Sequence, residues 1–222
     1  MKKYRIIIIA VLTLSSQLMF GQEINKFVDY YYFQKKSGVV KTNDYSDILG
    51  SPYLNVEFTD GVIYLKDTTA VKLLLRYNIY SDEMEYQIQG VNFVVGNTLI
   101  INTILLGNSI FVYLPFINKG GYFEVIESGK CFLVQKRSVT YKPAEKAKPI
   151  EGISSPAKFV AEPDVFYMIL HDTLTYAIEN RKSVINALQD QKEKIESYIK
   201  KEKIRNIKKE NLIKIVKYYN SL

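Results

Sequence analysis

Tryptophan is absent, and cysteine and histidine occur once each in 222 residues, as Cys131 and His171. A lone cysteine excludes an intramolecular disulfide and any cysteine-based metal cluster. A lone histidine removes most metal sites and acid–base constellations that depend on imidazole. Absent too are a Gly-rich phosphate loop, a Ser nucleophile elbow and a His-Glu zinc helix. A Ser-His-Asp triad would have to use His171, which stands beside Asp172 in a predicted tight turn, the place of an exposed polar residue. Paired carboxylates are the remaining histidine-free route to hydrolysis. Asp82, Glu83 and Glu85 form the densest acidic group. Glu83 and Glu85, however, share a predicted solvent face, and a solvated turn accounts for the group at least as well as a glycosidase dyad, which their distance in space decides. Cys131 reads as a small buried hydrophobe in a strand. The expectation is a protein without catalytic residues, cofactor or metal.

Long apolar runs are equally scarce. The one that stands out, Ile6 to Leu14, follows Lys2, Lys3 and Arg5 and precedes small and polar residues. This is the layout of a secretory signal peptide over residues 1–21, with cleavage between Gly21 and Gln22. No cysteine follows the run, so lipoprotein processing is excluded. The next apolar stretch, Leu99–Leu106, ends at Gly107-Asn108 and is too short to span a bilayer. The expected product is an exported chain with no transmembrane span after cleavage, periplasmic or associated with the outer membrane.

What is present is a globular composition, 47% hydrophobic and 24% charged, with 18 tyrosines. That balance excludes wholesale disorder and favours sheet. Removing residues 1–21 leaves 27 basic against 23 acidic residues, a net of +4. The remainder is divided unevenly. Residues 181–222 carry 12 basic and 5 acidic side chains, whereas residues 22–180 carry 15 and 18.

Spacing sets the elements. Ile24, Phe27, Val28 and Tyr31 predict a short amphipathic helix. From Gly50-Ser51-Pro52 onward the period is two. Val71, Leu73, Leu75, Tyr77 and Ile79 alternate with polar neighbours, as do Met84, Tyr86 and Ile88. A two-residue turn at Ser81-Asp82 would place Ile79 opposite Met84, Tyr77 opposite Tyr86 and Leu75 opposite Ile88. Gly107-Asn108 joins Thr98–Leu106 to Ser109–Leu114, arms apolar on both faces. Ser128-Gly129 joins Tyr122–Glu127 to Lys130–Lys136, with Glu127 across from Lys130. Four of six prolines fall in residues 142–163, which predicts an extended linker or crossover. Phe166–Leu170 and Leu174–Ile178 form a hairpin around His171-Asp172-Thr173. Asn180 caps a helix carrying Val184, Ile185 and Leu188. Asp190 with Glu193 heads another with Ile195, Tyr198 and Ile199. A last helix carries Leu212, Ile215, Val216 and Tyr219.

The fold class is therefore α+β: an antiparallel meander of about eight strands, then a hairpin and a short C-terminal helical subdomain. The boundaries are 1–21, 22–141, 142–163 and 164–222. The basic tail should pack on the Phe166–Ile178 hairpin and one end of the sheet. Its expected buried set is Ile185, Leu188, Ile195, Ile199, Leu212, Ile215 and Val216. Isoleucines interleaved with lysines at helical spacing read as a helix packed on one face, not as a nucleic-acid surface. Anionic lipid headgroups are a partner such a tail could meet. Leu99, Ile101, Leu105, Ile110, Val112 and Leu114 supply more apolar surface than one sheet face needs, and an apolar groove is one use for it.

Two blocks carry a resemblance. Gly50-Ser51-Pro52-Tyr53-Leu54-Asn55 with Phe58, Gly61 and Leu75–Glu85, together with the tail from Val184 to Tyr218-Tyr219-Asn220, resembles a family of small exported proteins from Bacteroidota. The resemblance spans nearly all of residues 22–222. It implies export and transfers no catalytic residue. It also implies that O-glycosylation can occur at Asp-Ser/Thr motifs, which Asp172-Thr173-Leu174 and Asp67-Thr68-Thr69 match at Thr173 and Thr68. The expected function is a non-enzymatic envelope protein, a binding or scaffold module that associates with another envelope protein or assembly. The alternative is a periplasmic carrier of a lipid or other amphiphile.

Overall fold

The computed structural model describes residues 33, 38–41, 45–145, 154–171 and 174–222. The signal peptide with its Gly21/Gln22 cleavage site, the helix expected over Ile24–Tyr31, and Thr173 lie outside the described residues. The α+β class holds, but the sheet is larger than expected: the described residues form eleven antiparallel strands rather than about eight. They are β1 (Gly38–Val40), β2 (Thr59–Leu65), β3 (Ala70–Asn78), β4 (Glu83–Ile88), β5 (Val91–Val95), β6 (Ile101–Leu106), β7 (Ser109–Tyr113), β8 (Tyr122–Glu127), β9 (Cys131–Lys136), β12 (Val165–Leu170) and β13 (Leu174–Ile178). A separate ribbon pairs β10 (Val139–Lys142) with β11 (Lys158–Ala161). Three helices end the chain: α1 (Arg181–Ala187), α2 (Lys192–Lys201) and α3 (Lys209–Asn220).

The sheet is not one simple meander. Its order is β1-β5-β4-β3-β2-β6-β7-β8-β9-β12-β13, so two meanders run outward from the β2/β6 pair. Residues 96–100 carry the chain from the end of β5 to the start of β6. At about 4.8 Å per strand, a flat sheet would put those strands about 19 Å apart. The sheet curls instead. Tyr77 on β3 meets Phe111 on β7 and Tyr122 on β8 at ring-centroid distances of 5.2 and 6.0 Å, although β2, β6 and β7 lie between β3 and β8. Gly61 permits this curvature, since a Cβ there would sit 2.5 Å from the Leu75 side chain and 2.6 Å from the Leu105 carbonyl oxygen. Inside the curl lie Ile63, Val71, Leu75, Tyr77, Met84 and Tyr86, closed by Phe33 edge-on to Tyr86.

Asp82 fastens the curl. Its Oδ1 accepts from the Tyr77 hydroxyl at 2.6 Å, the Tyr122 N–H at 3.3 Å and the Lys136 ammonium at 2.6 Å. This changes the expected hairpin. Residues 79–82 form the turn, with Asp82 at φ 56°, so Tyr77 pairs with Met84 and Leu75 with Tyr86. The shift is two residues, which leaves every side chain on its expected face. Ile79 leaves the ladder and is half-buried.

The same face of the sheet is covered differently at the other end. Cys131, Leu133, Met168, Leu170 and Ile178 pack under the three helices. Of the seven residues expected to be buried there, Leu188, Ile195, Ile199, Leu212, Ile215 and Val216 are, whereas Ile185 is half-buried. Asn180 caps α1 through a reciprocal box with Ser183. Asp190 caps nothing: α2 starts after Gln191 without a side-chain cap, and Asp190 accepts from the Tyr219 hydroxyl at 3.0 Å. Between the two cores lie Glu124 and Gln135, paired across β8 and β9. Glu124 accepts from Arg137 and Ser109; these bonds, against the opposing effect of burial, hold its carboxyl below the ordinary range.

Three further expectations change. Thr98–Ile100 is a 3-10 turn, and β6 begins at Ile101. A bulge after Val125 puts Glu127 opposite Leu133 instead of Lys130; it turns Ile126 toward the helical core. The proline-rich segment does leave the sheet, but its flanks pair as the β10/β11 ribbon, with Phe159 packed against Tyr45, Tyr80 and Tyr141. Among the described residues no helix is long and apolar enough to cross a membrane.

Candidate functional site

A cleft of about 640 Å³ opens where β6 begins and β7 ends, and reaches the start of β9 and the end of β12. Four of the six expected groove residues line it: Leu99, Ile101, Val112 and Leu114. Leu105 and Ile110 do not. They pair with each other next to the Gly107-Asn108 turn, and Ile110 stays 42% exposed. Phe116, Phe132 and Ile169 complete the apolar wall, and Lys66, Lys130, His171 and Asp190 supply polar groups around it. Leu99 is 66% exposed at the mouth. The volume falls within the roughly 300–1,000 Å³ of small-molecule sites, and an apolar wall with a few polar groups is the usual lining of such sites.

The residues that sequence reasoning missed come from distant elements. Phe132 and Ile169 are neighbours because β9 pairs with β12 in the register Ile169↔Phe132, a long-range pairing with no local signal. Tyr219 and Asp190 reach the cleft from the helical layer. Burial, with the Asp190 hydrogen bond, pushes the Tyr219 phenol up to about 12. His171 occupies its expected turn, exposed and at φ 50°. Cys131 is buried, and desolvation with nearby Asp190 pushes its thiol up to about 12, leaving it un-ionised at neutral pH.

The acidic group is not a solvated turn. Glu85 is fully buried and Asn78 with it, because residues 49–58 fold across that face. Glu85 accepts from Arg76 at 2.7 Å and Asn78 at 3.1 Å, and Lys41 stands 3.6 Å away while also pairing with Glu83. The Arg76 guanidinium is held between two rings, 3.7 Å from the centroid of Tyr53 and 4.2 Å from that of Phe58. The cluster contains two cations and two carboxylates: Lys41 pairs with Glu83 and lies beside Glu85, and Arg76 pairs with Glu85. With Asp82 tied to Lys136, each member of the acidic group has a cation beside it, which is the arrangement of a structural pair, not of a free acid and base. The Gly50–Asn55 and Leu75–Glu85 segments quoted above meet here: the Pro52 carbonyl accepts from the Ile79 and Tyr80 N–H groups, and the Tyr77 carbonyl accepts from the Leu54 N–H.

Thr68 lies in the exposed turn between β2 and β3 at φ 72°. The Asp67 side chain shapes that turn by accepting from the Thr69 N–H. No family model, curated protein or solved structure matches the chain.

Proposed function

We propose that this is a non-enzymatic exported envelope protein whose binding function is to hold an amphiphile, with the apolar chain against Leu99, Ile101, Val112 and Leu114. The observation that carries the reading is the cleft of about 640 Å³ that assembles these four residues with Lys66 and Lys130 beside them. The lysines favour an acidic head on the ligand, and the apolar wall favours a hydrocarbon tail. Binding of a fluorescent long-chain fatty acid to the delipidated protein tests it. Val112→Trp and Leu114→Trp should fill the cleft and weaken binding at least about tenfold, since each removes space that the tail occupies. An absence of binding by the unaltered protein, or binding indifferent to both substitutions, would sink the proposal.

A second reading, docking of another envelope protein, has its own observation. Val62, Leu105 and Ile110 stand in register across β2, β6 and β7 on the sheet face opposite the curled and helical cores, beside a third buried cluster that takes in Val125, and Ile110 and Leu74 are 42% and 40% exposed. A photo-crosslinker at position 110 in intact cells, with Leu74→Lys as the disrupting change, tests it. One discrete crosslinked protein that Leu74→Lys removes is the expected result.

A further inference from the structure

The helical subdomain carries a second concavity, of about 740 Å³, between the start of α1 and the end of α2. Around it stand Arg181, Lys200, Lys203 and Arg205, with Glu196 the one acid in its lining. All four cations are exposed, and no ion pair among the described residues uses any of them. Local structure explains only one. Lys200 sits in the last turn of α2, where the helix dipole favours a cation. Arg181 opens α1, where the dipole opposes a cation and no acidic side chain in the first turn offsets it. Lys203 takes a left-handed backbone at φ 53°, a place that glycine fills more easily. Beneath them Ile199 and Ile204 belong to the buried core, so the concavity has a fixed floor.

We infer that this basic concavity docks the protein onto a bilayer surface bearing anionic phospholipid headgroups. The chemistry recognised is phosphate: two guanidinium groups offer forked donors and two ammonium groups offer compact charge. A single soluble phosphate would need donors that enclose it, whereas four exposed side chains around an open concavity match an array of headgroups. The inference stands apart from whatever the cleft on the sheet holds.

Sedimentation with vesicles of phosphatidylcholine alone, and of phosphatidylcholine mixed with phosphatidylglycerol, tests it on the intact protein. The protein should sediment with the mixed vesicles only, and less as salt rises. Reversing all four cations to Glu should weaken that binding by about a hundredfold or more, and replacing all four with Gln should weaken it by less. Reversing Lys72, Lys119, Lys142 and Lys158 on the sheet side changes net charge equally and should have a far smaller effect. Equal losses from the two reversals, or none from the first, would overturn the inference. Release by millimolar glycerol phosphate or inorganic phosphate would overturn the bilayer as its partner and make a soluble phosphate compound the ligand. Melting curves of both variants separate lost docking from lost folding, and the Gln variant keeps the test valid if the Glu variant does not fold.

Discussion

One face of the sheet is buried in two ways, while the other carries a smaller buried cluster of Ile117, Phe123, Val134 and Ile169. From β2 to β8 the sheet curls on itself, and its core mixes aliphatic residues with the rings of Tyr77, Tyr86, Phe93, Phe111 and Tyr122. From β8 to β13 it lies under helices, and its core is aliphatic: Leu188, Ile195, Ile199, Leu212, Ile215 and Val216 close over Leu133 and Met168. The difference follows from reach. Large rings reach across a curled sheet, and Tyr77 also places its hydroxyl on Asp82, whereas the Tyr86 and Tyr122 hydroxyls are buried without a partner among the described residues. A helix at a close interaxial distance needs compact branched side chains. The polar pair Glu124 and Gln135 marks the seam between the two solutions.

Breaking the helical cover should have the largest effect. Ile215 is fully buried, and Ile215→Asp should cost more than about 4 kcal/mol by combining a lost side chain with a buried charge. Urea unfolding followed by tyrosine fluorescence and by circular dichroism reads it, and coincident transitions would show that the curled half depends on the covered one. Glu85→Gln should come next, at about 3–5 kcal/mol, because Arg76 and Lys41 are left with one fewer carboxylate in a buried setting. Asp82→Ala loosens the curl alone and should lower stability by about 2–3 kcal/mol, as it removes a charged acceptor from three donors.

Tyr86 sharpens the contrast with an opposite sign. Its hydroxyl is buried with no partner among the described residues, so Tyr86→Phe should be neutral or stabilise by up to about 1 kcal/mol. Burial pushes its phenol up to about 12 from 10. A raised value means the folded state keeps the proton that the unfolded state loses. The contribution is thus complete below about pH 10 and lost as pH rises through about 12. Denaturation series across that window should show a shallower decline in Tyr86→Phe. The smallest effect is expected from Lys208→Glu, within about 0.5 kcal/mol, since the side chain is exposed and without a structural partner.

What the sequence made legible was whatever repeats locally. Val71 to Tyr77 and Met84 to Tyr86 show their buried face by alternation, and a two-residue error in turn length left that face unchanged. The helical stripe from Val184 to Tyr219 was readable by the same logic. Curvature was not, because it depends on Gly61 meeting Leu75 and Leu105, residues on two other strands. The short β1 and β5 were missed for lack of a long alternating run. Glu85 was misplaced because alternation says which side a residue faces, not whether residues 49–58 will fold over it. Within the cleft, Leu99, Ile101, Val112 and Leu114 were visible as surplus apolar surface, while Phe132 and Ile169 needed the β9–β12 pairing.

Asn220 has a consequence for timing. Its side chain accepts from the Cys131 N–H at 2.8 Å and donates to the Cys131 and Ser128 carbonyls at 3.1 and 3.3 Å, clasping the β8–β9 turn across 89 residues of sequence from Cys131. Gly129 leaves the room, for a Cβ there would lie 2.4 Å from the Asn220 amide nitrogen. A clasp of that span is entropically slow to close and can form only after α3 has emerged and coiled. Without α3, Cys131 and Leu133 would lose part of the helical layer that buries them. In any state in which α3 has not yet docked, this flank would be uncovered, and it is the stretch where a holding chaperone would gain most and a protease would cut first.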